Sequence, residues 1–221
     1  MRLSFHAQNQ KTSINSLWNF DMDPIPLNLV FEDQISEFVM IKLADETNRY
    51  FIANSYSEGG FGYIKKNIGG FNEASKGCPF FVLTDLDTVN CAPTLIGDWI
   101  GKSAHPNMIF RIAIREVEAW LLADIEGLSK YTGISVVNFR EDIEKIEDPK
   151  AELLRLIKRC RIRKIRDDIL PKNEFASVGP NYNGRLGEFV LNHWNVNRAM
   201  LRSDSLRRAV VHLSNFQVVY N

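Results

Sequence analysis

The stretch that decides the fold is "PFFVLTDLDTVNCAP", residues 79–93. A mostly apolar run, residues 79–84, leads directly into two aspartates, Asp85 and Asp87. Continuous apolar runs of this length are typical of strands that are covered by helices on both faces. In open α/β sheets, ligands bind outside the carboxyl ends of the strands. The two aspartates are therefore expected at a binding edge of a sheet.

Three further apolar runs resemble this one, and helical patterns separate most of them. The runs are "PLNLVFE" (26–32), "RYFIAN" (49–54) and "NMIFRIAI" (107–114). Helical spacing is present in "DQISEFVMIKLADE", and a proline in the first turn favours a helix in "APTLIGDWIGK". An amphipathic helix is predicted for "REVEAWLLADIEGLSKY" (115–131). The fourth segment, "SEGGFGYIKKNIGGF", is interpreted as a Gly-rich turn into a short helical or irregular piece. This alternation predicts an α/β fold with a mostly parallel, Rossmann-like sheet and helices on both faces.

The pattern changes after residue 131 and divides the chain in two. Residues 1–131 are predicted to form the α/β domain, with an irregular lead-in over residues 1–25. Residues 132–221 are predicted to form a helical extension that packs on this domain. Its helices are expected over residues 148–171, where a proline ends the pattern, and in "GRLGEFVLNHWN" and "SDSLRRAVVHLSNF". Ser203 and Ser205 are alternative N-caps of the last helix.

The composition is that of an ordinary globular protein. The 221 residues include 27 basic and 27 acidic side chains, so net charge favours neither nucleic acid nor a membrane. No uncharged apolar run reaches the roughly 18 residues of a membrane helix, and no signal-peptide pattern opens the chain. The three cysteines lack metal-binding spacing and are expected to be reduced thiols of a cytoplasmic protein. The four histidines have no ligand spacing and are interpreted as structural.

Asp85 and Asp87 suggest a divalent cation. Residues two apart on an extended chain point the same way, so both carboxylates are expected to face one point. Two carboxylates held together destabilise each other unless a cation lies between them or one is protonated. Mg²⁺ (or Mn²⁺) fits such an oxygen site because it needs only one or two carboxylates and keeps its waters. A solvated turn is the alternative, since aspartate is common in turns.

Glu32 adds a second acidic group, at the end of the first predicted strand. Parallel neighbouring strands would bring it to the edge that carries Asp85 and Asp87, where it could bind metal or transfer a proton. The alternative is that Glu32 and Asp33 only stabilise the positive end of the following helix.

A third acidic group follows the fourth predicted strand. Glu116 and Glu118 flank Val117, and both can reach one site only if the helix begins between them. Glu118 (or Glu116) is predicted to be an accessory acid, and Glu116 is a candidate metal ligand. In the same helix, residues 120–122 are expected in the core and Asp124 on the surface. Three acidic groups after three different strands predict a metal site assembled at the sheet edge.

Two groups of basic residues are candidate phosphate contacts. Lys65 and Lys66 follow the "SEGGFG" turn and could neutralise a phosphate near the metal, although an ordinary strand-to-helix turn is the alternative. The second group is a candidate nucleic-acid surface and consists of Lys158, Arg159, Arg161, Arg163, Lys164 and Arg166. The alternative is that these charges are spread around the surface of a helix. The polar loop 181–185, which contains Tyr182, is interpreted as a turn that could also line a site.

With Glu32 in "NLVFED" and the aspartates in "FVLTDLD", residues 26–125 resemble the TOPRIM domain of topoisomerases, primases and OLD-type nucleases. Segments "REVEAWLLAD", "GYIKKNIGGFN" and "VGPNYNGRLGEFV" are similar to uncharacterised bacterial TOPRIM-like proteins linked to phage defence and toxin–antitoxin loci. The resemblance implies Mg²⁺-dependent chemistry on nucleic-acid phosphodiesters, with the aspartates as metal ligands and Glu32 as general acid/base. As the nucleic-acid partner, DNA is favoured over RNA. Whether the protein also has a partner ATPase and whether it forms an oligomer are left open. After the glutamate, the family usually has a glycine, where this chain has Asp33. OLD-type nucleases often have another acid four residues after the glutamate, where this chain has Ser36, so the number of bound metals, one or two, stays open.

Two other functions remain open. "VLTDLDTV" also resembles the motif of haloacid-dehalogenase-like phosphatases, in which Asp85 would be the nucleophile and Asp87 the acid/base, with Asp167 and Asp168 as the later acidic pair. That motif normally opens the chain, whereas here a strand and a helix precede it. The other alternative is a non-catalytic module that binds nucleic acid or a partner.

Overall fold

The fold is an α/β layer structure built on one parallel sheet. The computed structural model describes residues 23–101 and 104–220, so most of the predicted lead-in lies outside the described residues. The strands are β1 (Ile25–Val30), β2 (Tyr50–Tyr56), β3 (Phe80–Asp85) and β4 (Met108–Ala113). They form a four-stranded sheet in the order β2-β1-β3-β4, and every pair is parallel. The predicted fold class is confirmed.

The register of the sheet explains which residues meet at its carboxyl edge. Val30, the last residue of β1, is level with Val82 of β3, whereas β3 continues to Asp85. The chain that leaves β1 therefore runs beside the end of β3. On the other side, Asp85 is level with Ala113, the last residue of β4.

Helices cover both faces of the sheet because the strands are apolar on both faces. The connections are α1 (Gln34–Thr47), α2 (Phe61–Ala74) and α3 (Ala92–Trp99). One face, with Leu27, Leu29, Phe81, Leu83 and Ile109, packs in a core that includes α1. The alternate positions of the strands pack against α2 and α3; they are Val30, Phe80, Val82, Met108 and Phe110. This alternation follows from the two-residue period of a strand.

The remaining helices extend the core on the α1 face. They are α4 (Val117–Ala123), α5 (Ile125–Thr132), α6 (Pro149–Ile157), α7 (Arg163–Ile169), α8 (Tyr182–Asn192), α9 (Val196–Ala199) and α10 (Asp204–Asn215). Trp120, Leu153, Phe189 and Leu213 are fully buried in the same apolar cluster as the sheet residues of that face. Ser203 is the N-cap of α10, since its side chain accepts a hydrogen bond from the Leu206 amide.

The predicted helix 115–131 is two helices, and the prediction for Asp124 was wrong. The backbone breaks at Asp124, whose side chain is fully buried rather than exposed. Its carboxylate caps α5 at Gly127, accepts from the Asn195 amide at 2.7 Å, and binds the Arg198 guanidinium at 2.7 and 2.9 Å. Sequence spacing could not reveal this burial, because two of the donors, Asn195 and Arg198, come from a segment far along the chain.

The predicted helix 148–171 is also two helices, α6 and α7. They are interrupted inside the basic run, where Cys160 is buried and its thiol contacts the Thr132 carbonyl at 3.1 Å. The Arg161 amide donates to the same carbonyl at 3.1 Å. Backbone bonding to the end of α5 therefore replaces helix continuation. Among the described residues, no helix combines the length and the apolar character that crossing a membrane requires.

Candidate functional site

The ends of β1 and β3 are joined by Glu32. Phe31 is buried behind it, and Glu32 itself is half-buried at the carboxyl edge. One oxygen, Oε1, accepts a hydrogen bond from the Asp85 amide at 2.9 Å and another from the Thr84 hydroxyl. Burial raises the pKa of Glu32, and these two hydrogen bonds oppose that change. The structure thus places Glu32 in contact with the segment that carries Asp85.

Asp85 lies at the centre of a group of acidic side chains. Its Oδ1 accepts a hydrogen bond from the Val117 amide at 3.0 Å, which fixes it against the start of α4. Burial and the carboxylates of Glu32 and Glu118 raise the pKa of Asp85 well above its ordinary value. Asp33 and Asp87 raise this pKa further. The neighbouring charges that act most strongly on Asp85 are therefore all negative.

Asp87 does not follow the extended geometry expected from the sequence. β3 ends at Asp85, and the amides of Leu86 and Asp87 donate to the Arg115 carbonyl at 2.9 and 3.0 Å. Asp87 has a φ of 48°, in the left-handed region that aspartate tolerates better than most residues. The Arg115 guanidinium holds this turn by donating to the carbonyls of Asp87 and Val89. Asp87 is exposed but still acts electrostatically on Glu32 and Asp85.

Glu116 and Glu118 both lie near the site because α4 begins at Val117, between them. Glu116 is extended, and its Oε2 accepts from the Lys150 amide at 2.8 Å. Burial raises the pKa of Glu116, and this hydrogen bond opposes the change. Glu118 is 2% exposed, and burial raises its pKa to about 7 against the attraction of Lys150. The sequence left open which glutamate faces the site. The charge of Glu118 raises the pKa of Asp85, whereas the charge of Glu116 raises the pKa of Glu118.

Tyr182 and Lys150 complete the surroundings of Glu118, and sequence reasoning did not assign either of them to the site. The Tyr182 hydroxyl donates to Glu118 Oε1 at 2.9 Å, and the Lys150 ammonium lies 3.9 Å from the same oxygen. Gly179 allows the loop before Tyr182 to lie against α7, since a Cβ there would stand 2.3 Å from the Asp168 carbonyl oxygen. The sequence signals for Tyr182 were the polar loop 181–185, interpreted as a turn that could also line a site, and the segment "VGPNYNGRLGEFV".

The donor set fits a hard divalent cation. Glu32, Asp85, Glu116 and Glu118 each use one carboxylate oxygen for hydrogen bonds, which orients them, and the other oxygen has no hydrogen-bond partner among the described residues. Ligating carboxylates are commonly held in this way. Within residues 23–101 and 104–220, no three acidic, histidine or cysteine side chains already surround one point as metal ligands. Mg²⁺ tolerates this arrangement because it retains several waters and needs only one or two carboxylates.

The structure does not bring the candidate basic residues into contact with the acidic side chains. Lys65 and Lys66 are exposed on α2 and make no hydrogen bond or ion pair with a described residue. The basic run begins at the far end of α6, about 12 Å along the helix from Lys150. Part of the run is neutralised, since Arg163 and Arg166 pair with Asp167. Its role as a nucleic-acid surface stays a prediction.

Replacing Glu118 by glutamine should stabilise the metal-free protein at alkaline pH. A glutamate with a raised pKa binds its proton more tightly when folded, so wild-type stability falls as pH rises from about 4.5 through about 7. The amide keeps an acceptor for Tyr182 and carries no buried charge. We expect a gain of about 3 kcal/mol at pH 8.5 and almost none at pH 4, measured by urea unfolding in EDTA. Glu147→Gln, an exposed position, is the control, and a gain that does not grow with pH would contradict the assignment.

Comparison with known proteins identifies one family. A family model described as "Domain of unknown function (DUF4276)" matches residues 32–164, which include every acidic residue of the site. No curated protein and no solved structure matches the chain.

Proposed function

The chain belongs to the DUF4276 family, whose function is unknown, and we propose that it is a Mg²⁺-dependent nuclease that acts on the phosphodiesters of nucleic acid. One observation carries the proposal: Glu32 accepts from the Asp85 amide, so acidic groups from two strand ends meet at the sheet edge. A cluster of carboxylates with raised pKa is typical of functional sites. The oxygen donors favour Mg²⁺ or Mn²⁺ over the softer transition metals.

The acidic residues divide between holding a cation and handling a proton. Asp85 and Asp87, with Glu32 beside them, would hold the metal. When bound, such a metal polarises the phosphoryl oxygen and stabilises the charge that develops in the transition state. Glu118, with its raised pKa, can hold or release a proton near neutral pH, and Tyr182 and Lys150 keep its carboxylate in place. Glu32 has an unbonded oxygen that can accept a proton from the attacking water.

Among the residues that the structure describes, no contact favours the phosphatase alternative. The later acidic pair that it requires is engaged elsewhere: Asp168 binds Arg185 at 2.8 Å, and Asp167 binds Arg163 on the surface. Asp167 and Asp168 belong to α7, whereas the acidic residues of the site follow the strands or begin α4.

Cleavage assays with and without Glu32 test the proposal. Wild-type protein is incubated with single-stranded DNA, double-stranded DNA and RNA in Mg²⁺, Mn²⁺ or EDTA. We expect cleavage only with metal, and we expect Glu32→Gln to reduce the rate by about a hundredfold, because a positioned acid/base contributes factors of this size. The amide still accepts the Asp85 and Thr84 hydrogen bonds, so the sheet edge should remain intact.

Two results would count against the nuclease. Hydrolysis of p-nitrophenyl phosphate that is unaffected by Glu32→Gln would favour a phosphatase. Nucleic-acid binding without cleavage in either metal, by wild type and variant alike, would favour a non-catalytic module.

A further inference from the structure

A cleft lined by arginines lies next to the turn that carries Asp87. It has a volume of about 390 Å³ and lies between the edge strand β4, the start of α3 and the start of α10. Leu86, Ile96, Phe110 and Ile112 form an apolar wall. Arg111, Arg115 and Arg208 also line the cleft. Arg115 is the residue that holds the Asp87 turn, so the cleft and the acidic site are adjacent.

Arg111 is a half-buried cation to which the described part of the chain supplies no ion-pair partner. Its Nε atom is fully buried and has no hydrogen-bond partner, and the guanidinium makes no ion pair with any residue of the described ranges. Burial, with a contribution from Arg208, lowers the pKa of Arg111. A buried polar group without a partner costs free energy, and an unpaired buried charge costs more. A bound anion would remove that cost.

The carboxylates of the cleft are already engaged by other residues. Glu144 Oε1 accepts from the Ser203 hydroxyl at 2.8 Å and from the Ser205 amide at 2.7 Å. Asp204 binds the guanidinium groups of Arg207 and Arg208. Three arginines therefore face two carboxylates, and neither carboxylate forms an ion pair with Arg111.

We propose that this cleft binds a phosphate group of a nucleic-acid strand through Arg111, with Arg208 and Arg115 beside it and the apolar wall against the neighbouring sugar or base. A guanidinium fork matches two phosphate oxygens, and such charge-assisted pairs are stronger than neutral hydrogen bonds. The occupant is a backbone phosphate of the nucleic-acid strand, because the acidic site lies next to the cleft. The choice of occupant rests on the proposed function; the phosphate site itself does not.

Binding without metal tests the cleft separately from cleavage. Fluorescence anisotropy of a labelled twelve-nucleotide single-stranded DNA is measured in EDTA over a range of salt concentrations, for wild type, Arg111→Gln, Arg208→Gln and Lys130→Gln. Lys130 is exposed on α5 and controls for the loss of one positive charge. We expect Arg111→Gln to weaken binding about tenfold and to lower the slope of log K against log salt by about one. Arg208→Gln should weaken binding too, and it cannot disturb the core because Arg208 is exposed.

The outcomes separate the two proposals. If Arg111→Gln and Arg208→Gln bind like Lys130→Gln, the cleft proposal is overturned, whatever the cleavage assay shows. If binding depends on Arg111 but no metal produces cleavage, the phosphate site stands and the nuclease fails. Adenosine monophosphate is the competitor that identifies the source. If adenosine monophosphate displaces the DNA, the cleft is assigned to free nucleotides and the choice of a strand phosphate is overturned. If it does not displace the DNA, the choice of a strand phosphate is supported.

Discussion

Replacing Asp85 by asparagine should abolish metal-dependent cleavage, with a loss of about a thousandfold or more. Asp85 is at the centre of the acidic group, and its pKa is raised by four carboxylates as well as by burial. Removing its charge should remove the strongest attraction for a cation at that point. A thousandfold loss corresponds to about 4 kcal/mol of transition-state stabilisation, which is within the contribution of a catalytic metal.

The Asp85→Asn variant is expected to fold. Its side-chain oxygen can still accept the hydrogen bond from the Val117 amide, so the start of α4 keeps its contact with β3. Asp45→Asn, an exposed position at the end of α1, is the matched control and should cleave at the wild-type rate. Calorimetric titration with Mn²⁺ alone gives a second readout, because binding should be lost together with activity. Cleavage by Asp85→Asn at the wild-type rate would rule out the proposed metal site.

Replacing Asp124 by alanine should strongly destabilise the folded chain, lowering the free energy of unfolding by about 3 kcal/mol or more. Its fully buried carboxylate caps α5, accepts the Asn195 amide and pairs with Arg198. The variant leaves these donors without their acceptor, and breaking a buried pair costs several kcal/mol. Arg198 is partly exposed and can turn to solvent, so we expect the loss of unfolding free energy to be about 3 kcal/mol. The midpoint of thermal unfolding should fall by about 6–12 °C.

The control is Asp142→Ala, which removes an aspartate from an exposed pair with Lys145. Exposed pairs contribute little to stability, so the midpoint should not change measurably. Asp124→Asn should lie between the two variants, because an amide oxygen can still cap α5 but carries no charge for Arg198. Equal midpoints for Asp124→Ala and wild type would show that this pair does not hold α9 to the α4–α5 break.

The layered architecture was predictable because short apolar runs in the sequence indicate its strands. Phe80, Phe81, Val82 and Leu83 face both sides of the sheet alternately, and a strand of this kind must be covered on both faces. The N-cap of α10 was narrowed to Ser203 or Ser205, and the proline at the start of α3 was also recognised, since caps depend on neighbours only a few residues away. Local signals therefore sufficed for the elements of the sheet and for most of the helices.

The predictions failed where a distant donor or acceptor decides the local structure. Asp124 was predicted to be exposed, but Asn195 and Arg198 approach it from far along the chain. Asp87 was expected to follow the strand in extended geometry, with a turn as the alternative, but the Arg115 carbonyl accepts hydrogen bonds from the amides of Leu86 and Asp87 and the chain turns there. For the loop that contains Tyr182, a turn and a site lining were both open, and nothing nearby in sequence decides between them because its acceptor, Glu118, is distant.

The contact between Glu118 and Tyr182 has a consequence for protein synthesis. The hydrogen bond joins residues that are 64 positions apart, and Tyr182 opens α8, late in the chain. Because a nascent chain leaves the ribosome from its N-terminus, Glu118 is translated well before its partner. Its carboxylate acquires its final neighbours only after the Tyr182 segment has emerged. All four strands are therefore synthesised before Tyr182, the last residue that the surroundings of Glu118 require.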